Sequence, residues 1–273
     1  MSTHDDLGMR MKSYYEEIPK TKLVRRMPVI IRIDGKAFHT FTRGMLKPFD
    51  PVLMGAMQYT MKDLCENIQG CVLGYTQSDE ISLLLIDYKK LTSSAWFDNE
   101  VQKMCSISAS MATAYFSHNL EAQLGGWLLE HGGQNGFEDY ETLMKRKTLF
   151  EHALFDARCF NIPKEEVANY FYWRQLDATR NSIESVGQAY FSHNELHKKS
   201  CNDIQDMLHE QKGINWNDFS TPEKRGTCCI REEIQDGKAV LRREWVIDKD
   251  IPQFKGEDRN YIDRWVDSDL YEK

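Results

Sequence analysis

The 273-residue chain has no uninterrupted apolar run long enough to span a bilayer, so no segment reads as a transmembrane helix and no membrane association is expected. Its N-terminus lacks a basic stretch followed by an apolar one. Met1-Ser-Thr-His-Asp-Asp stands there instead, so export is not expected and a cytoplasmic setting is. Cys-x-x-Cys spacing is missing, and seven cysteines, an odd number, fit reduced thiols better than a disulfide framework. The adjacent Cys228 and Cys229 read as bystander thiols rather than a redox couple. No excess of positive charge is present either. With 35 lysines and arginines against 42 aspartates and glutamates, the net charge is −7, which withholds bulk electrostatic support for nucleic-acid binding. Repeats, low-complexity tracts and a clear interdomain linker are also lacking.

What is present is an ordinary globular composition, 41% hydrophobic and 28% charged, in a chain long enough to bury a sizeable core. Local basic clusters at Lys20–Arg26, Lys145–Lys147, Lys198–Lys199 and Arg242–Arg243 read as solvated faces. Two stretches carry the chemistry. Val29–Ile33 is β-branched apart from Arg32 and reads as a strand that Asp34-Gly35 ends. Cys71–Tyr75 and Ile81–Ile86 read as two further strands, joined through Gln77-Ser78-Asp79-Glu80. Taken singly, Asp-Gly and Ser-Asp-Glu are common turn sequences. Taken together they place Asp34 and Asp79 at adjacent strand ends if the strands are neighbours. Two carboxylates that close repel each other unless a cation lies between them. A hard divalent ion such as Mg2+, which favours carboxylate and phosphate oxygens, is the natural occupant, and a pair of such ions can align a triphosphate.

Between the strands, Asp50-Pro51 reads as an N-cap with proline in the first turn of a helix. Its stripe of Val52, Leu53, Met57, Met61, Leu64 and Cys65 is core packing. This gives the β-α-β-β order of a palm-like nucleotidyl-transfer core. Further along, Asp98 is expected to cap a helix with many small residues, and the glycines of Leu120–Phe150 to form a flexible connection. Leu154–Ile162 reads as a strand, and a helix starting at Pro163 is expected to carry Val167, Tyr170, Phe171, Trp173, Leu176 and Ile183. In it Arg174 and Asp177 stand at i, i+3, where they can pair. His193, His197 and Cys201 have helical i, i+4, i+8 spacing, but a fourth ligand at fixed spacing is missing, so structural or exposed histidines are the better reading. From Gly213 the chain reads as a polar, loop-rich tail containing Trp216, Trp245 and Trp265, with a hairpin across Asp236-Gly237.

Arg32-Ile-Asp-Gly-Lys-Ala-Phe-His39, Gly74-Tyr-Thr-Gln-Ser-Asp-Glu-Ile-Ser82, Trp96-Phe97 with Lys103-Met104, Phe155-Asp-Ala-Arg158 and Tyr172-Trp-Arg-Gln-Leu-Asp177 follow one another in the order of a known family. Over roughly residues 20–185 the chain resembles the tRNA-histidine guanylyltransferases, which add nucleotides to tRNA 5′ ends in the 3′–5′ direction. The resemblance implies an α+β, polymerase-palm-like antiparallel sheet packed with helices, over residues 1–185, with a less regular C-terminal extension, 186–273, packed on it. It implies a homotetramer acting on tRNA and nucleoside triphosphates. By the same resemblance Asp34, Gly35 and Asp79 would hold two Mg2+ ions, and Asp34, Asp79 and Glu80 would form the catalytic acidic cluster. Asp34, Gly35, Lys36, Ala37, Phe38, His39, Lys47, Asp50, Ser78 and Asp79 would bind ATP and GTP or another NTP. Lys103, Arg158, Arg174 and Asn181 would face the RNA.

One departure stands out. Eukaryotic members follow Trp-Arg-Gln-x-Asp with His-Ile-Asn-Asn-Leu-Tyr-Asn, whereas here Ala178-Thr-Arg-Asn-Ser-Ile-Glu-Ser185 retains little beyond Asn181. That points to a bacterial- or archaeal-type member that repairs 5′-truncated tRNA against the opposite strand. Strict specificity for tRNA-His, a palm enzyme acting on free nucleotides as cyclases do, and a non-catalytic RNA-binding module are the competing readings.

Overall fold

The computed structural model describes residues 6–236 and 240–266. After a short helix α1 (Asp6–Met11) and a π turn over Lys12–Glu16 come β1 (Val29–Gly35), α2 (Phe38–Phe41), α3 (Pro51–Asn67), β2 (Cys71–Gln77) and β3 (Glu80–Leu85). Then follow α4 (Val101–His131), α5 (Glu138–Phe150), β4 (Phe155–Asn161) and α6 (Lys164–Tyr190). The chain continues with α7 (His193–Leu196), α8 (Cys201–Lys212), α9 (Thr221–Arg225), β5 (Thr227–Asp236), β6 (Val240–Asp248) and α10 (Asn260–Val266). The fold is α+β. Among the described residues six strands form one sheet in the order β4-β1-β3-β2-β5-β6, antiparallel at every pairing.

Both faces of the sheet are covered, which is why β1 and β3 read as nearly continuous apolar runs rather than alternating ones. Val29, Ile31 and Ile33 of β1 pack with Met57, Met61 and Leu64 of α3 and with Met104, Phe116 and Leu120 of α4. Ile30 and Leu84 point the other way, towards Val167, Tyr170 and Phe171 of α6 and Ile262 of α10. A third cluster joins the far half of α6, through Ile183 and Val186, to Ile204 and Leu208 of α8 and to Trp216.

The expected caps hold at α3. Asp50 accepts from the Leu53 N–H and Pro51 occupies the first turn. The helix then lies close on β2, where a Cβ at Gly74 would come within 2.5 Å of the Cys65 sulfur.

Four expectations are corrected. Residues 120–131 continue α4 through Gly125-Gly126, because Leu124 and Trp127 beside them are buried in the core. That packing outweighs a helix cost of roughly 1 kcal/mol per glycine. The first turn of α4 follows Glu100, not Asp98. Asp98 instead forms ion pairs with Lys22 and Arg25. His193, His197 and Cys201 do not share a helix, since α7 ends at Leu196 and α8 begins at Cys201, each with its own serine capping box. The region from Gly213 is not a loop-rich tail. β5 pairs with β2, placing Cys228 opposite Tyr75, and β6 follows it. Gly237 of the expected hairpin turn lies outside the described residues.

Candidate active site

β1 ends between β3 and β4. Asp34 is in register with Glu80 on one side and Asp156 on the other, and Glu80 is opposite Gln77 of β2. Cross-strand partners project from the same face, so an acidic row crosses the end of the sheet. It lies on the α6 face. Two residues back, the matching row holds Arg158, Arg32, Ser82 and Tyr75.

Asp79 stands in the turn between β2 and β3, after Ser78, whose φ of +50° is left-handed. A two-residue hairpin turn needs such a conformation to match the strand twist. The turn is fastened to the end of β1 by the Gly35 N–H, which donates to the Asp79 carbonyl at 3.0 Å. Gly35 has no room for a side chain. A Cβ there would meet the Phe38 ring at 2.2 Å, and that ring is packed against Phe41, Phe116 and Phe155. Phe38 therefore anchors the turn and can offer a ligand only its backbone. Ala37 before it is left-handed, with φ +54°. Successive N–H groups around a left-handed residue are the arrangement that receives phosphate oxygens. Lys36 and His39 are exposed beside it.

The two acids of the turn have opposite surroundings. Glu80 is 3% exposed. It accepts from Arg174 Nε at 2.7 Å, and Arg32 Nε is 2.9 Å from its other oxygen, away from the hydrogen-bond line. Burial is the larger influence and raises its carboxyl above the ordinary value, while Arg174 and Arg32 pull it down. Arg174 continues to Asp177 at 2.6 Å, and Asp177 pairs with Arg180. The i, i+3 pair expected on α6 is therefore present. Ser82 joins the network through Tyr170 at 2.8 Å, whose hydroxyl burial pushes up to about 12.

Asp79 has no such clamp. Its side-chain hydrogen bond comes from Ser78 at 3.2 Å. Its pKa is raised, by burial above all and also by the negative charge of Asp34, while a hydrogen bond from its own backbone N–H, then Ser78 and Arg32, lower it. Asp34, partly exposed, has a long ion pair with Arg158 at 3.8 Å. A partly desolvated carboxylate beside another is an arrangement that a divalent ion fits. The sequence brings Asp34, Gly35 and Asp79 together as expected, and gives Glu80 a different environment from its neighbour.

Next to the turn opens a cavity of about 510 Å3. Its walls are His39, the 42–50 loop, Gln77 and Ser78, one face of α6 (Ala178, Asn181, Ser182, Ser185, Gln188), and Pro222, Glu223 and Gly226. His39, Lys47, Asp50, Ser78 and Asn181 all line it. Within it, Asp50 is committed to the protein, since it accepts from Leu46 and Leu53 N–H groups and from the Tyr140 hydroxyl. The residues expected to face RNA are dispersed. Lys103 begins α4 beside Glu100 at 3.7 Å, Arg158 borders the acidic row, Asn181 is in the cavity, and Arg174 is buried. Reading by sequence misses the cavity walls at Gln77, Ser185, Gln188 and Glu223, which share no local pattern. It also misses Arg32, whose signal was a lone charge inside a β-branched strand.

A family model described as tRNAHis guanylyltransferase (Thg1) matches residues 8–163. The tRNA(His) guanylyltransferase of Debaryomyces hansenii is 27% identical over 217 residues, 75% of this chain and 73% of its own. A solved bacterial tRNA(His) guanylyltransferase-like protein in complex with ATP is 42% identical, with a TM-score of 0.79 over 96% of this chain and 100% of that one. A solved complex of such a protein with GTP is 41% identical, with a TM-score of 0.76 and the same coverage. Among the described residues no helix is long and apolar enough to cross a membrane. A match over more than half the chain, joined to this likeness over nearly all of it, leaves one conclusion: the chain belongs to the tRNAHis guanylyltransferase family and is a nucleotidyltransferase.

Proposed function

We propose that the protein is a Mg2+-dependent nucleotidyltransferase that adds nucleotides to the 5′ end of tRNA in the 3′–5′ direction, repairing 5′-truncated tRNA against the opposite strand. The observation that carries this reading is the pair Asp34 and Asp79, weakly compensated by Arg158 at 3.8 Å from Asp34 and by Arg32, in the turn whose Ser78 lines a cavity of about 510 Å3. Asp34, Asp79 and the Gly35 carbonyl are the groups that would hold Mg2+. When bound, two such ions supply charge neutralisation and alignment for phosphoryl chemistry. Of the backbone from Asp34 to His39, the Gly35 and Lys36 N–H groups are used on the Asp79 and Leu154 carbonyls, and those of Ala37, Phe38 and His39 would meet a triphosphate, with Ser78 beside it. Lys47 contributes positive charge along the cavity. Nucleotidyl transfer depends on alignment and electrostatics rather than on a protein nucleophile, and the site has the residues for that.

In the proposed sequence, a 5′-monophosphate oxygen attacks the α-phosphorus of ATP and pyrophosphate leaves, giving a 5′-adenylylated end. The 3′-hydroxyl of an incoming NTP then attacks the RNA 5′ phosphorus and AMP leaves. An end already carrying a triphosphate skips activation and releases pyrophosphate. Repair is favoured over strict tRNA-His specificity because the stretch that departs from the eukaryotic motif forms the α6 wall of the cavity. The seven free thiols support a reducing, cytoplasmic compartment, and the family resemblance supports a homotetramer.

The test is incubation with a 5′-truncated tRNA, ATP, GTP and Mg2+. Extension at the 5′ end, lost in Asp79→Ala, is expected. No extension, or extension that Asp79→Ala leaves intact, contradicts the reading. A full-length tRNA-His lacking only its extra guanosine, used as the sole accepted substrate, would establish the specific version, and product from NTP alone the cyclase-like one.

A further inference from the structure

α6 buries Tyr170, Phe171, Arg174 and Gln175 but leaves Trp173 52% exposed and Leu176 51% exposed. A single exposed aromatic needs no explanation; the surroundings of this one do. The Arg174 guanidinium lies 4.4 Å from the ring centre and that of Arg32 lies 6.0 Å away. Arg174 is buried, so it underlies the ring and the exposed half of the indole is the outer one. Arg32 precedes Asp34 by two residues, roughly 7 Å along the strand. Its register partner Arg158 projects from the same face, half exposed, 3.8 Å from Asp34. Arg180, also exposed, stands seven residues beyond Trp173, on the same side of the helix. A flat apolar surface with two water-facing guanidiniums therefore borders the acidic end of the sheet.

We propose that Trp173 is a stacking platform for the terminal base at the 5′ end of the tRNA, with Arg158 and Arg180 meeting the phosphates around it. This rests on the reading of the acidic row as the site of 5′ nucleotidyl transfer. Stacking suits such a substrate. Every base has a π-face, so an indole holds whichever base stands at a truncated end without selecting among them. The charges match phosphates as well. RNA is favoured over a protein partner because the apolar strip is short, passing from Trp173 and Leu176 directly to Arg180, whereas a stable protein interface covers about 800 Å2 on each side.

The experiment measures binding of a 5′-truncated tRNA to the full-length protein by fluorescence anisotropy, together with its steady-state extension. Wild type, Trp173→Phe and Trp173→Ala are each tested with the intact RNA and with one carrying an abasic 5′ nucleotide. Stacking is worth roughly 5- to 150-fold per base. Trp173→Ala is therefore expected to weaken binding about tenfold and raise the KM for RNA, with GTP affinity and circular dichroism unchanged. Trp173→Phe should keep most of the affinity. The abasic RNA should bind wild type and Trp173→Ala alike, because each change removes the same contact. Wild-type affinity in Trp173→Ala overturns the proposal, as do losses from the variant and the abasic RNA that simply add. A smaller assembly with unchanged RNA affinity overturns it too, by assigning the ring to a protein contact. If Trp173→Ala does not fold, Trp173→Leu takes its place. Failure of wild type to extend RNA would strike the transfer reading; normal extension with an unmoved KM in the variant would strike only the stacking.

Discussion

Glu80 lies between Arg174 and Arg32, at 2.7 and 2.9 Å, while Asp79, one residue earlier, faces Asp34 with a serine hydroxyl for company. Both acids are withdrawn from water and both belong to one tight turn. The difference is in what balances their charge. Glu80 is neutralised within the protein and ties β1 and β3 to α6 through Arg32, Arg174 and Asp177. Asp79 and Asp34 have weaker partners, a serine hydroxyl at 3.2 Å and Arg158 at 3.8 Å. A short acidic run at a hairpin tip can thus contain one carboxylate neutralised within the protein and one left weakly partnered, and the partners across the sheet decide which is which.

The widest gap between the two should appear in turnover. Asp79→Asn or Asp34→Asn is expected to lower 5′ extension by roughly 10²–10³-fold or more, the scale for losing one preorganised electrostatic group. The same substitution at Asp79 should leave the fold as stable or more stable in EDTA, since it removes a buried charge next to a like one. Glu80→Gln should do the reverse to the fold. It leaves Arg32 without its anion and Arg174 with Asp177 alone, and breaking a buried ion pair this way costs about 3–5 kcal/mol, readable as a lower urea midpoint. A Glu80→Gln protein of wild-type stability would break the comparison.

Dependence on pH sharpens it with a smaller effect. The folded-state pKa of Asp79 is raised above the ordinary 3.8, so the folded chain holds this proton longer than the unfolded one. In EDTA its contribution to stability therefore declines as pH rises from 3.8 through the raised value, and is flat above it. Divalent binding should move the other way, failing as pH falls through the same window. In Asp79→Asn both trends should be reduced. An unchanged pH profile of stability in that variant would show that Asp79 is not the group responsible.

Much of the core could be read locally. Asp50-Pro51 signals its helix because an N-cap acts within one turn, and Asp34-Gly35 and Ser78-Asp79 signal strand ends because turn chemistry is local. Helix α4 resisted such reading, since burial of Leu124 and Trp127 overrides the preference of Gly125-Gly126. Long-range pairings resisted it as well. Nothing near Thr227 shows that it will lie opposite Thr76, and nothing near Arg174 shows that it will reach Glu80, 94 residues away. The pattern of α6 placed Trp173 on the helix but not on a face; that face is fixed by what the sheet beneath leaves uncovered. The cavity walls come from four separated stretches and exist only once the chain has folded.

The central claim is that Asp34 and Asp79, and not Glu80, hold the divalent ion. Titration of Mn2+, a paramagnetic stand-in for Mg2+, into the protein with bound GTP, followed by electron paramagnetic resonance, tests it most directly. Wild type and folded Glu80→Gln should take up the ion with similar affinity, and Asp34→Asn and Asp79→Asn should each lose it. Undiminished uptake by Asp79→Asn, with loss confined to Glu80→Gln, would contradict the account.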